Sequence, residues 1–165
     1  MKAEHNIIVA IDPGFDRCGV AVIDCATPSV QHSWCITTDK NDTHAQRLAK
    51  VFREIETIIL EYRPDAIALE TLFFSVNKKS AMLVAEARGT AVTLAGLHGI
   101  PVIELSPQEV KTAMTGSGSA DKKAIQKMVE MTLKIDTSKK LDDEIDAIAL
   151  GIAASGILKL RALAK

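Results

Sequence analysis

Residues 6 to 24 read NIIVAIDPGFDRCGVAVID, and most of the fold follows from how this stretch is parsed. The apolar run Ile7 to Ile11 stops at Asp12, and Pro13 and Gly14 follow as turn residues, which predicts a buried strand over 6–12 running into a tight turn. A second apolar run, GVAVID at 19–24, predicts a strand returning beside the first. VQHSWCITT at 30–38 alternates apolar and polar residues, as a half-buried strand does. Together these predict a meander of three strands.

Downstream the period changes. Leu48, Val51, Phe52, Ile55, Ile58 and Ile59 recur at helical spacing between Thr43 and Tyr62. DAIALE at 65–70 then predicts a strand ending in an acid. The Ala- and Leu-rich stretch from Ser80 to His98 predicts a helix leading to IPVIEL at 100–105, a βαβ crossover that makes the last two strands parallel. Ser106 before Pro107 marks the start of a helix running to about Met114. GSGS at 116–119 interrupts it, a helix resumes over 120–133, and the last helix runs from about Asp142 to Leu163. The expected architecture is α/β: a mixed five-stranded sheet, strand order 3-2-1-4-5, with helices on both faces, in one domain over 1–165. That element order is the order of the RNase H-like fold; flavodoxin-like and actin-like ATPase halves share much of it.

With 165 residues, 47% hydrophobic and 25% charged, the chain is long enough to bury a core without disulfides or a structural metal. Cys18, Cys25 and Cys35 are odd in number and lack the close Cys or His pairs of a zinc site, which suggests reduced thiols in a cytoplasm. The run at 7–11 is too short for a secretion signal, and Ala147 to Leu158 is too short to span a bilayer. The net charge of -1 gives no hint of a nucleic-acid partner. It is, however, an average. Residues 1–75 carry 7 basic and 11 acidic side chains, whereas residues 76–141 carry 10 and 6, around Lys78, Lys79, Lys111, Lys122, Lys123 and Lys127. A local positive field is therefore available for steering a polyanion.

Asp12 and Glu70 both end expected strands of a parallel pair, so they share one sheet edge. Asp143 and Asp146 are three apart near the start of the last helix and share one face, where the helix dipole favours negative charge. Four hard oxygen ligands without His or Cys suit Mg²⁺ or Mn²⁺ rather than zinc. Turn chemistry at Asp12 and helix capping by residues 142–144 are the alternative readings. Glu70 follows the apolar run 66–69, where a carboxylate needs a partner or an ion.

At these residues the chain resembles the RuvC family of Holliday-junction resolvases. The resemblance rests on IDPG at 11–14 with Gly19 following, LETLFF at 69–74, ARG at 87–89, VK at 110–111, GSGSADK at 116–122 and DDEIDAIAL at 142–150. It implies an endonuclease that resolves four-way DNA junctions by paired symmetric nicks in recombination and repair. Asp12, Glu70, Asp143 and Asp146 would then be both catalytic and metal-binding, holding two Mg²⁺ ions, with Mn²⁺ as a substitute. It further implies a homodimer, a RuvA–RuvB branch-migration complex as partner, and DNA contacts from Phe73, which would stack on an unpaired base, and from Lys78, Lys79, Arg88, Lys111 and Lys122. GSGS lacks the spacing of a nucleotide-binding P-loop, so no nucleotide cofactor is expected. A ribosomal-RNA-processing nuclease of the YqgF type, suggested by DRCGVAVID, and a non-catalytic nucleic-acid-binding module of the same fold are the competing readings. The GIAASG continuation at 151–156 departs from the Cys-His pair many family members carry there.

Overall fold

The computed structural model describes residues 7–71 and 78–163, with side chains given up to residue 158 and from residue 80 in the second span. The elements are β1 (Ile7–Asp12), β2 (Arg17–Asp24), β3 (Ser29–Thr37), α1 (His44–Tyr62), β4 (Ala66–Glu70), α2 (Lys78–Leu97), β5 (Val102–Leu105), α3 (Pro107–Thr115), α4 (Lys122–Leu133) and α5 (Asp142–Leu163). The sheet order is β3-β2-β1-β4-β5. β1 to β3 form an antiparallel meander, while β4 runs parallel to both β1 and β5. This is the mixed sheet expected from the sequence.

Several boundaries moved by one or two residues, and two of the shifts have a clear local cause. β2 begins at Arg17 rather than Gly19, because Arg17 and Cys18 still pair with Thr37 and Ile36 of β3 although the polar Arg17 breaks the apolar run. β5 begins at Val102 rather than Ile100, since Pro101 has no N–H to give a ladder; its carbonyl still accepts from the Ile67 N–H at 3.0 Å. The helix starts follow their local chemistry. Thr43 and Ser106 each make a reciprocal capping box, with Gln46 and Glu109 respectively, and Pro107 occupies the first turn of α3. GSGS is a helix stop: Gly116 takes a left-handed conformation (φ 77°) and its N–H returns to the Thr112 carbonyl.

Strand alternation sorts the core into two layers. Val9, Ile11, Val20, Val22, Ile67 and Leu69 face α1 and α2. Ile8, Ala10, Ala21, Ile23, Ala66 and Ala68 face α5, with α3 and α4 packed beside it. The second set is rich in small residues, and so is α5 where it meets them, with Ala147, Ala149, Gly151, Ala153 and Ala154 all buried. Small side chains on both surfaces let the helix backbone come close to the sheet. A Cβ on Gly19 of β2 would lie 1.9 Å from the Asp143 carbonyl oxygen, and one on Gly151 would lie 2.5 Å from Ile23 Cγ1. The start of α5 is also lashed to β3: Lys140 Nζ donates to Ser33 Oγ at 2.7 Å, and Ser33 Oγ donates to Glu144 Oε1 at 3.0 Å.

Gly19→Ala should therefore cost about 1–3 kcal/mol by forcing α5 away from the sheet. Gly156→Ala, on the same helix but exposed with nothing within 4 Å of its Cβ position, should stabilise by up to ~1 kcal/mol. Urea unfolding of the two variants tests this; equal effects at both positions would show that the close approach carries no cost.

Candidate active site

Asp12 and Glu70 are the last residues of β1 and β4, one step beyond the paired Ile11 and Leu69. Alternation turns both carboxylates toward α5, on the side of Ala10 and Ala68. The chain leaves Asp12 through a turn in which a Cβ on Gly14 would fall 1.9 Å from the Arg17 carbonyl oxygen, so only glycine fits. α1 pins this turn: Thr38 Oγ1 donates to the Phe15 carbonyl at 2.7 Å, Arg47 Nε donates to Thr38 Oγ1 at 2.9 Å, and the Arg47 guanidinium sits 4.0 Å over the Phe15 ring. Asp143 and Asp146 arrive from the first turn and a half of α5. Their approach to β1 depends on the contact at Gly19.

Asp12, Glu70 and Asp146 line one cavity of about 260 Å³ with Lys111 of α3 and Lys122 of α4, against an apolar wall that includes Val110 and Ile125. Lys122 Nζ lies 3.3 Å from Asp146 Oδ2 and 3.9 Å from Asp142 Oδ2. Asp143 is set to one side, with Arg17 Nε 3.0 Å from its Oδ2. That contact is outside hydrogen-bond geometry, so this buried oxygen has a charged neighbour and no hydrogen bond. Burial, followed by the charges of Glu70, Asp146 and Asp143, pushes Asp12 up to about 8. Glu70 is also raised, by burial and then by Asp146, while a hydrogen bond with Asp12 and the two lysines pull it back. Asp146 is raised by burial against the pull of Lys122, and Lys122 is itself raised by Asp146. Like charges crowded at a half-buried site hold free energy that a cation would release.

The match to known proteins covers the whole of this constellation. The family model for "Crossover junction endodeoxyribonuclease RuvC" matches residues 8–154. The chain belongs to the RuvC family. A RuvC of that description from Pseudothermotoga lettingae is 40% identical over 146 residues, covering 87% of this chain and 90% of the relative. Among solved structures, Thermus thermophilus RuvC superposes with a TM-score of 0.86 at 24% identity, covering 94% of this chain and 96% of that one. The same RuvC in complex with a Holliday junction substrate gives 0.85 at 23% identity with the same coverage. At those identities the structural likeness speaks for the fold, which is that of the RuvC resolvases.

Against this RuvC frame, the sequence-derived residues fall into groups. Asp12, Glu70 and Asp146 converge on the cavity with Lys111 and Lys122, and Asp143 stands beside it. Arg88 is elsewhere: it reaches from α2 to the Glu70 main-chain carbonyl and to Glu104 of β5. Phe73 lies outside the described residues, as do the side chains of Lys78 and Lys79. Arg17 and Glu104 were missed from sequence. Arg17 stands before the apolar run of β2, and its acid partner is 126 positions away, so no local pattern signals the pair.

The donor set, all hard carboxylate oxygens under mutual repulsion, fits a divalent cation. In metal-free protein Asp12 keeps a proton that the unfolded chain releases above its ordinary value of 3.8. Stability should therefore fall as pH rises from about 4 to about 8. Asp12→Asn should flatten that slope. Urea midpoints measured in chelator across this range test it; a wild-type profile that is level or rises would contradict the strained carboxyl.

Proposed function

We propose that this protein is a structure-specific endonuclease that resolves four-way DNA junctions by paired symmetric nicks, hydrolysing phosphodiester bonds in recombination and repair. The observation that carries this reading is the meeting of Asp12, Glu70 and Asp146 in one cleft with Lys111 and Lys122, in a chain that belongs to the RuvC family. The Thermus thermophilus relative, solved with a Holliday junction substrate, supports the choice of DNA.

In this reading Asp12, Glu70, Asp143 and Asp146 hold two Mg²⁺ ions, with Mn²⁺ able to replace them. Ions bound there would supply an activated water and stabilise the leaving oxygen. Lys111 and Lys122 hold the phosphate from the α3–α4 side, where each ammonium acts as a point charge. The apolar wall of the cleft lowers the polarity on one side of the half-buried acids and strengthens their field. Phe73 stacks on an unpaired base, and Lys78 and Lys79 steer the backbone. One domain over 1–165 carries the activity, and two copies supply two sites for the symmetric cuts. The exposed Met82 and Val92 of α2 support that helix as the face between copies. Cys18, Cys25 and Cys35 are thiols rather than disulfides, with Cys18 pushed up to about 12 by burial, which suits a reducing cytoplasm. Among the described residues no helix is long and apolar enough to cross a membrane. Where RuvA and RuvB are present, their branch-migration complex is the expected partner.

The decisive assay incubates the protein with a synthetic four-way junction, a linear duplex and a structured RNA in Mg²⁺. Junction nicking should dominate, and Asp12→Asn or Glu70→Gln should abolish it while leaving junction binding. Cleavage of RNA alone would favour the YqgF-type reading, and binding of all three without cleavage would leave only a nucleic-acid-binding module. Lys111→Ala and Lys122→Ala should each lower the slope of log affinity against log salt by about 1. An unchanged slope in either variant removes that lysine from the phosphate contacts.

A further inference from the structure

Arg88 lies in the middle of α2 with its side chain only 19% exposed, and both ends of its guanidinium are engaged. Nε donates to the main-chain carbonyl of Glu70 at 3.2 Å, and Nη2 pairs with Glu104 of β5. The register explains how one side chain reaches both. Glu104 pairs with Leu69, and paired residues point to the same side of a sheet, here the side covered by α1 and α2. Arg88 precedes Ala91 by one turn, and Ala91 packs into that same layer. The Glu70 carboxylate points to the opposite side, toward α5. The sheet therefore separates Arg88 from the cleft in which the four acids would meet a phosphate.

We propose that Arg88 is a positioning residue for Glu70, with Glu104 as its anchor, and not a contact to DNA. This rests on the reading of Glu70 as a metal-binding catalytic acid. Glu70 is the last residue of β4, and the next residue, Thr71, donates its N–H to the Leu105 carbonyl at 2.9 Å. The last carbonyl of such a strand has lost its ladder on one side and is free to tilt, and a tilt there swings the carboxylate on the other face. A planar guanidinium that holds this carbonyl while fixed to the neighbouring strand removes the freedom. The fork needs two separate donors in a fixed geometry, which arginine supplies and lysine does not. Displacing a ligand-bearing strand end by a fraction of an ångström is enough to cost a large part of metal affinity or turnover.

The test compares Arg88→Gln, Arg88→Lys and Glu104→Ala with Glu70→Gln as reference. Glu104 is half exposed, so its loss leaves the fold intact. Mn²⁺ binding to DNA-free protein is followed by electron paramagnetic resonance. Junction affinity, its salt slope and single-turnover cleavage are measured separately. Arg88→Gln should weaken Mn²⁺ binding and slow cleavage by about 10- to 100-fold, with junction affinity and salt slope unchanged. Arg88→Lys should recover only part of this, and Glu104→Ala should shift both readouts in the same direction, though less. A DNA contact predicts the opposite sign at Glu104: freeing the guanidinium and removing an acid would tighten junction binding, and Arg88→Gln would lower the salt slope by about 1. That result overturns the proposal, as does a fall in melting temperature with metal binding and cleavage by the folded protein unchanged. If Glu70→Gln leaves Mn²⁺ binding and cleavage intact, the reading of Glu70 fails. If it abolishes them and the Arg88 variants do not, the brace alone fails.

Discussion

The close seating of α5 on β1 and β2 is the constraint on which the site depends. Packed helices lie roughly 8–10 Å apart according to the side chains between them, and in the same way the size of the side chains beneath α5 sets how near its first-turn aspartates come to the acids at the strand ends. Gly19, Ala10, Ala21 and Ala68 on the sheet, and Ala147, Ala149 and Gly151 on the helix, remove that spacer. The Asp143 carbonyl rests on Gly19 where a Cβ has no room. The same contact that closes the core thus delivers two of the four acids.

That delivery has an electrostatic cost which the rest of the cleft offsets only in part. Asp12 is pushed up first by burial and then by its three acidic neighbours. Lys122 and Lys111 relieve Glu70, Lys122 relieves Asp146, and Arg17 lies against Asp143. The cations come from α3, α4 and β2, whereas the acids come from β1, β4 and α5. Charges of opposite sign are therefore carried by different elements and meet only after those elements have packed. The net charge of -1 conceals this arrangement because the basic surplus at 76–141 and the acidic surplus at 1–75 cancel in the total.

Much of the fold was legible in the chain because each element is signalled locally. Hydrophobic period separates β1 to β5 from the helices, and Ser106 before Pro107 marks the start of α3. Alternation and element order then give the sheet, since a helix between β4 and β5 makes them parallel. The errors lie where a polar residue occupies a strand, as at Arg17, or where proline precedes one, as at Pro101. GSGS interrupts the helix as its glycines suggest, because Gly116 takes a left-handed conformation at the end of α3.

The acids themselves were also legible, because a carboxylate at the end of an apolar run is conspicuous and four of them follow a recognisable order. What they touch was not. Strand ends and helix spacing are local properties, so the sequence by itself determined that Asp12 and Glu70 end neighbouring strands at one sheet edge and that Asp143 and Asp146 lie together on a helix. Only the tertiary structure decided that Lys122 lies beside Asp146, that Arg17 lies against Asp143, and that Arg88 grips the Glu70 carbonyl from the far side of the sheet. Local periodicity fixes the direction in which a side chain leaves its own element. The partner it meets depends on how closely and at what angle elements distant in the chain pack, and here that is set by small residues whose effect appears only when the two surfaces are brought together.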